Sequence, residues 1–279
     1  MLKGPFLDRT WMGQNPDYNS SDIIMLGLPF DGTVSYRPGS RFAPEQLRLA
    51  SWGLEEYSVN FDRDLNDVNF NDIGDLELPL GNTARSLNII EENVKQIYTD
   101  KKRVFGIGGE HLVTFPELKA IHDFYKDNLA VVHFDAHTDL RASYLDEELS
   151  HASVMYRIGE IIGFENIKQI GIRSGMKEEF ELQKKYNMLV KETNDLYKIK
   201  NKNIFVSVDL DVLDTSIMPG TGTPEAGGIT FNELISWFRI LKDFHIIGAD
   251  VVELAPDYDS SGVSTAVATK VIRELLSIM

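Results

Sequence analysis

The chain of 279 residues contains no cysteine, so no disulfide framework holds it and any bound metal must use oxygen and nitrogen ligands. It also lacks long apolar runs: stretches such as IIMLGLPF are too short to cross a bilayer. The first residues, MLKGPFLDRTWMG, show no apolar segment of the kind that begins a secretory signal. Basic residues are in short supply, 28 Lys and Arg against 43 Asp and Glu, for a net charge of −15. That balance argues against nucleic acid or an anionic membrane as partner and favours a small cationic ligand. No internal repeat, low-complexity tract or Pro/Ser-rich linker breaks the chain. Together these absences point to a cytoplasmic protein, with residues 1–279 forming a single domain.

What is present is an alternation of two patterns. Short, nearly continuous apolar runs fall at 23–28, 104–107, 129–134, 167–172, 204–208 and 246–252. Amphipathic segments lie near 43–51, 86–100, 114–126, 151–162, 178–187, 231–242 and 262–277. Strands buried on both faces read as such runs, and their alternation with helices predicts an α/β fold, a three-layer α/β/α domain on a mainly parallel sheet. Ligands of such sheets bind beyond the carboxyl ends of the strands. The polar clusters sit there: GGEH at 108–111, DAHTD at 135–139, DLD at 209–211 and VELAP at 252–256.

In DAHTD an extended backbone would project Asp135, His137 and Asp139 to one side, and SVDLD repeats the device with Asp209 and Asp211. Carboxylates packed this closely repel and raise each other's pKa unless a cation lies between them. His111 follows the flexible pair Gly108-Gly109. The three clusters offer four aspartates and two histidines, enough for two divalent ions with shared carboxylates. Such a donor set, without thiolate, suits a hard or borderline ion such as Mn²⁺. His133 lies one pleat back within the strand, about 6–7 Å from Asp135 by strand geometry, and reads as a hydrogen-bonded core histidine.

GGEH, FDAHTD and SVDLDVLDTSIMPGTGTPEAGG, with SYRPGSRFAPEQLR near the start and GADVVELAPDYD near the end, resemble the ureohydrolase (arginase–agmatinase) family, most closely its agmatinase branch. The resemblance implies an arginase-like fold and two Mn²⁺ per subunit. One ion would be held by His111, Asp135, Asp139 and Asp209, the other by Asp135, His137, Asp209 and Asp211, with Asp135 and Asp209 bridging. It implies that a hydroxide shared by the ions attacks a guanidinium carbon, that Asp139 moves the proton to the leaving nitrogen, and that Glu253 binds the guanidinium. His151 matches the proton-shuttling histidine, although this chain has His151-Ala152 where many relatives have His-Gly. Beside Ser150 it would equally read as the start of a capped helix. A homo-oligomer, trimer or hexamer, is expected on the same ground.

Between the ligands and His151 lies LRASYLDEELS, whose Asp146, Glu147 and Glu148 would repel a carboxylate and attract a distal ammonium. Agmatine, hydrolysed to putrescine and urea, fits that pattern best. Arg141 in the same segment suits a carboxylate, which keeps arginine, guanidinobutyrate and formiminoglutamate open. A binuclear hydrolase of phosphoesters is a further alternative, though basic residues do not cluster at the strand ends, Arg37, Arg41 and Arg173 being scattered exceptions. The loop 219–228 is expected to floor the site and Arg37–Arg41 to form part of its rim.

Overall fold

The structure, a computed structural model, describes residues 10–13 and 17–279, so most of the opening stretch MLKGPFLDRTWMG lies outside the described residues. In chain order the elements are β1 (Ile23–Gly27), α1 (Ala43–Ser51), β2 (Tyr57–Ser58), β3 (Arg63–Asp64), β4 (Phe70–Asp75), α2 (Thr83–Thr99), β5 (Arg103–Ile107), α3 (Thr114–Tyr125), β6 (Leu129–Phe134), α4 (Val154–Ile162), β7 (Ile167–Ile170), α5 (Lys177–Lys185), α6 (Thr193–Tyr197), β8 (Asn203–Asp209), α7 (Phe231–Leu241), β9 (Ile246–Val252) and α8 (Val263–Leu276). Seven strands form one sheet in the order β4-β1-β5-β9-β8-β6-β7, and every pairing in it is parallel. β2 and β3 form a separate antiparallel pair.

Strand pleating divides the apolar residues between two cores. Ile23 and Met25 of β1 pack with α1, α7 and α8 on one face, whereas Ile24 and Leu26 pack with α2, α3 and α4 on the other. The rings of Phe134 (β6) and Phe238 (α7) meet edge to face at 5.7 Å and lock that helix to the sheet. Helix α7 begins with a reciprocal cap, in which Thr230 Oγ1 accepts from Glu233 N–H and Glu233 accepts from Thr230 N–H. No helix among the described residues is long and apolar enough to cross a membrane.

All six expected strands are present. The seventh, β4, does not read as a strand because its sequence is FNDIGD. Its polar residues are used internally: Arg48 makes a paired contact to Asp72, at 2.7 and 2.8 Å, and Asp72 also accepts the Trp11 N–H. The short α6 likewise shows no amphipathic repeat.

Consecutive strands β5 and β6 are separated in space by β9 and β8. At this reversal of strand order the carboxyl ends of β5, β9, β8 and β6 open a crevice between them.

Candidate metal centre and catalytic cleft

GGEH leaves β5 through two left-handed glycines, Gly108 (φ 78°) and Gly109 (φ 81°). A side chain on Gly109 would begin 2.2 Å from the Leu28 carbonyl oxygen, so only glycine lets the chain cross β1 here. The turn delivers His111 to the middle of the crevice. Its Nδ1 lies 3.1 Å from an Asp135 oxygen, 3.2 Å from Asp139 and 3.2 Å from Asp209. This buried nitrogen nevertheless has no hydrogen bond in the geometry observed. Three carboxylate oxygens and one imidazole nitrogen thus surround a common point without satisfying one another.

A second group adjoins it. His137 Nδ1 lies 3.0 Å from Asp211 and 3.4 Å from the other oxygen of Asp135. Asp135 therefore faces both histidines, one with each oxygen. The spacing rule that grouped these residues is only partly how the chain achieves this. Backbone beyond His137 turns at Asp139, which is left-handed (φ 52°), and Asp211 lies in a 3-10 turn whose N–H bonds to the Asp209 carboxylate at 2.9 Å. Turns, rather than an extended pleat, aim Asp139 and Asp211 inward.

The cluster is electrostatically frustrated without cations. Burial and the neighbouring Asp211 and Asp135 push Asp209 well above the usual carboxylate range. Burial and Asp135 push Asp139 up to about 7. Burial opposes ionisation of Asp135 too, but His133, His111 and His137 around it outweigh that and hold it well below the ordinary value. Hard cations would neutralise this charge, and the donor set of carboxylates and imidazoles fits them.

His133 reaches farther than strand geometry suggested, placing Nε2 2.8 Å from Asp135. Its Nδ1 lies 3.0 Å from the amide nitrogen of Gln169, so both ring nitrogens are engaged. It buttresses Asp135 from behind.

Around the cluster is a cleft of about 170 Å³, lined by His111, Asp139, Asp209, His151 and Glu253 among others. Glu253, left-handed (φ 68°) just past β9, accepts the His111 N–H on Oε1 at 2.7 Å. Its Oε2 meets no donor among the described residues. Burial and the charge of Glu110 push the Glu253 carboxyl up to about 8. His151 opens the 3-10 turn that leads into α4, with Ser150 as its cap. It is therefore both the first residue of a capped turn and part of the cleft wall. Burial pushes its imidazole down to about 4, so it is neutral near pH 7. Ser35 Oγ lies 3.3 Å from its Nε2.

Glu110 had no foreseen role. Fully buried, it accepts the N–H and hydroxyl of Thr33, whose Oγ1 in turn accepts the His151 N–H at 3.0 Å. It thereby ties the rim segment 31–42 to the start of α4. An acidic residue within an otherwise apolar, glycine-rich turn was the signal for it. Arg41 pairs with Asp31 at 3.1 Å, consistent with a rim, and Thr223 of the loop 219–228 borders the cleft.

The acid-rich loop behaves otherwise than expected. Asp146, Glu147 and Glu148 are exposed and none lines this cleft. Backbone hydrogen bonds between Tyr144 and Glu147 close a tight turn, with Leu145 and Asp146 left-handed, and Glu147 lines an adjoining pocket with Thr33 and Ser35 instead. Arg141 lines the cleft instead, over the Tyr144 ring and 3.8 Å from Glu179. Glu179, the buried acid at this end, accepts from the Thr138 hydroxyl and from the Leu140 and Met176 N–H groups. Arg173 is occupied by the carbonyls of Gly171, Asp211, Val212, Glu225 and Ala226.

The model of the Arginase family matches residues 21–277. The chain is 47% identical over 277 residues to the agmatinase of Bacillus subtilis (strain 168), covering 96% of this chain and 95% of that one. A solved structure from Clostridium difficile, described as a candidate agmatinase, superposes with a TM-score of 0.90 at 47% identity, covering 94% and 98% of the two chains. The agmatine ureohydrolase of Thermoplasma volcanium superposes with a TM-score of 0.85 at 28% identity, covering 98% and 94%.

Proposed function

This chain belongs to the arginase family and is a ureohydrolase, and we propose that it hydrolyses agmatine to putrescine and urea with two Mn²⁺ per subunit. One ion would be held by His111, Asp135, Asp139 and Asp209, the other by Asp135, His137, Asp209 and Asp211. The observation that carries this reading is the convergence of the unpartnered His111 Nδ1 with three carboxylate oxygens at 3.1–3.2 Å, beside a second histidine that shares Asp135. Two divalent ions bound there supply Lewis acidity that ionises water near neutral pH.

The side chains supply the rest. Guanidinium carbon is a poor electrophile because resonance spreads its charge, so the cation must be held firmly. Glu253 Oε2 accepts its N–H groups while Oε1 stays fixed on the His111 backbone, and the cation in turn keeps Glu253 ionised. Asp139 accepts the proton of the attacking water and passes it to the leaving amine nitrogen. Neutral His151, held by Thr33 and Ser35, exchanges protons with solvent without repelling the cationic substrate.

Support for agmatine comes from the relatives and from the net acidity of the chain, not from the outward-turned acidic loop. Arg141 in the cleft favours a second reading, a guanidino acid such as arginine or guanidinobutyrate, although Glu179 lies close enough to offset its charge. A phosphoester substrate would find Arg141 alone, not a clamp: Arg173 is consumed by carbonyls, Arg41 pairs with Asp31 and Arg37 is packed between Tyr36 and Tyr258. The reading treats residues 1–279 as one catalytic domain of a cytoplasmic homo-oligomer. Exposed Phe42, Trp52 and Val59 offer apolar surface for self-association.

Urea release from agmatine, arginine and guanidinobutyrate, with elemental analysis of the same sample, tests the whole. Two ions per chain and highest kcat/KM with agmatine are expected. A preference for either acid overturns the substrate, and a single ion per chain overturns the centre.

A further inference from the structure

Behind His111, away from the cleft, runs a chain of buried polar groups that the chemistry above does not use. His111 Nε2 lies 3.0 Å from Ser207 Oγ. Ser207 Oγ donates to one oxygen of Asp250 at 2.6 Å, and Thr114 Oγ1 donates to the other at 2.6 Å. Ser207 and Asp250 are register partners on β8 and β9. From α3, the carboxyl of Glu117 packs against Asp250. Each of these residues except His111, at 1%, is 0% exposed.

The strand beneath has been shaped for Glu117. Gly106 on β5 is the register neighbour of Asp250, and a side chain there would begin 2.8 and 3.1 Å from the two Glu117 oxygens. Nothing in the backbone conformation of Gly106 requires glycine, so the vacant Cβ position serves to admit the carboxyl.

Two buried carboxyls in contact, with no cation between them, cannot both be ionised. Asp250 is the one that receives hydroxyl donors, from Ser207 and Thr114. Neither Glu117 oxygen meets a donor among the described residues, and burial next to Asp250 pushes its pKa well above the carboxylate range. The proton therefore belongs on Glu117, where it completes a third hydrogen bond to Asp250. That arrangement sets the direction of every bond in the chain. Ser207 has given its hydrogen to Asp250, so its oxygen can only accept from His111 Nε2–H. With the ring neutral, as a metal ligand must be, His111 Nδ1 then carries the lone pair that a cation among Asp135, Asp139 and Asp209 would take up.

We propose that Glu117 and Asp250 form a proton-sharing carboxyl pair that acts as a positioning unit, holding His111 as the Nε2–H tautomer so that Nδ1 is free to bind a cation. The proposal rests on the metal centre suggested above but is independent of the substrate.

The test uses the purified full-length protein, stripped of metal and shown to be folded by circular dichroism. Calorimetric titration with Mn²⁺ alone reads affinity, and ¹⁵N shifts of the His111 ring, followed with rising pH until the ring is neutral, read its tautomer. Glu117→Gln keeps a neutral donor and is expected to stay within about threefold of the parent affinity. Asp250→Asn can present an amide N–H to Ser207, turn its hydroxyl toward His111 and place the ring hydrogen on Nδ1. It is expected to weaken the tighter Mn²⁺ step by about 10- to 100-fold, the range typical of groups that orient metal ligands. If Asp250→Asn does not fold, Ser207→Ala, which leaves the carboxyl pair intact, must show the same order of loss. Glu117→Gln binding as weakly as Asp250→Asn would put the proton elsewhere and overturn the proposal. Parent affinity and parent tautomer in Asp250→Asn, or parent affinity in Ser207→Ala where that variant stands in for it, would also overturn it. A protein that binds two Mn²⁺ normally yet leaves agmatine intact would refute the proposed function and leave this inference standing.

Discussion

Glu253→Gln separates substrate recognition from metal binding. In the parent, Oε1 is pinned by the His111 N–H at 2.7 Å and Oε2 faces the cleft without a donor. The glutamine oxygen must take the pinned position, because an amide NH₂ there would confront the backbone N–H. The NH₂ then points at the donors of the guanidinium. The variant loses a charge-assisted hydrogen bond, about 1.5–3 kcal/mol, and leaves opposed donors in a desolvated place, about 1–3 kcal/mol more. A net loss of about 3–4 kcal/mol corresponds to a fall in kcat/KM of two to three orders of magnitude. Stability should not suffer, since the parent carboxyl is itself destabilised when ionised, its pKa standing at about 8 through burial and Glu110. The assay is urea release at several agmatine concentrations, with metal content measured on the same preparation. Activity within threefold of the parent would mean that Glu253 does not touch the substrate, and loss of metal would mean that it acts through the ligands.

Arg48→Met should destabilise the fold by about 3–5 kcal/mol, because it strands a buried Asp72 that is 1% exposed; denaturant unfolding checks this, and a loss below 1 kcal/mol contradicts it. Asp259, held at about 2 chiefly by the Ser261 hydroxyl and by Ser264, accepts the N–H and hydroxyl of Ser264 in the first turn of α8. A depressed carboxyl contributes stability that is present above its unfolded value of 3.8 and is lost as pH falls through about 2. Unfolding curves of the parent and Asp259→Asn should therefore differ most above pH 3.8 and converge toward pH 2, and a constant difference would assign the effect to packing. Because Asp146, Glu147 and Glu148 face solvent, neutralising all three should leave kcat/KM for agmatine within about threefold at 0.15 M salt, where exposed charges are screened beyond roughly 8 Å. A tenfold loss would return the loop to the site.

Strand positions were legible wherever burial on both faces demands continuous apolar residues, as in LAVVHF and IIGADVV. β4 was not, because FNDIGD satisfies its buried Asp72 through Arg48, 24 residues earlier, a partnership that no local pattern announces. Within the candidate site, residue types were easier to read than directions. The alternation that grouped Asp135 with Asp139 presumed extended backbone, whereas a left-handed Asp139 does the aiming. The acidic loop misled for a similar reason: composition reports which charges are present, and a tight turn reports where they point.

Chemistry that follows from residue type was settled along the chain itself. A sequence without cysteine, with four aspartates and two histidines at strand ends, already limits a metal site to oxygen and nitrogen donors around hard cations. Only the tertiary structure decides that His111 and Glu253, 142 residues apart, touch through a backbone N–H, or that Arg141 enters the cleft while Arg173 is spent on carbonyls. Identity and local spacing are properties of neighbours in the chain. The order of strands in the sheet, and with it which oxygens converge and which hydroxyl passes its hydrogen to Asp250, depends on packing between segments that have no neighbours in common until the chain has folded.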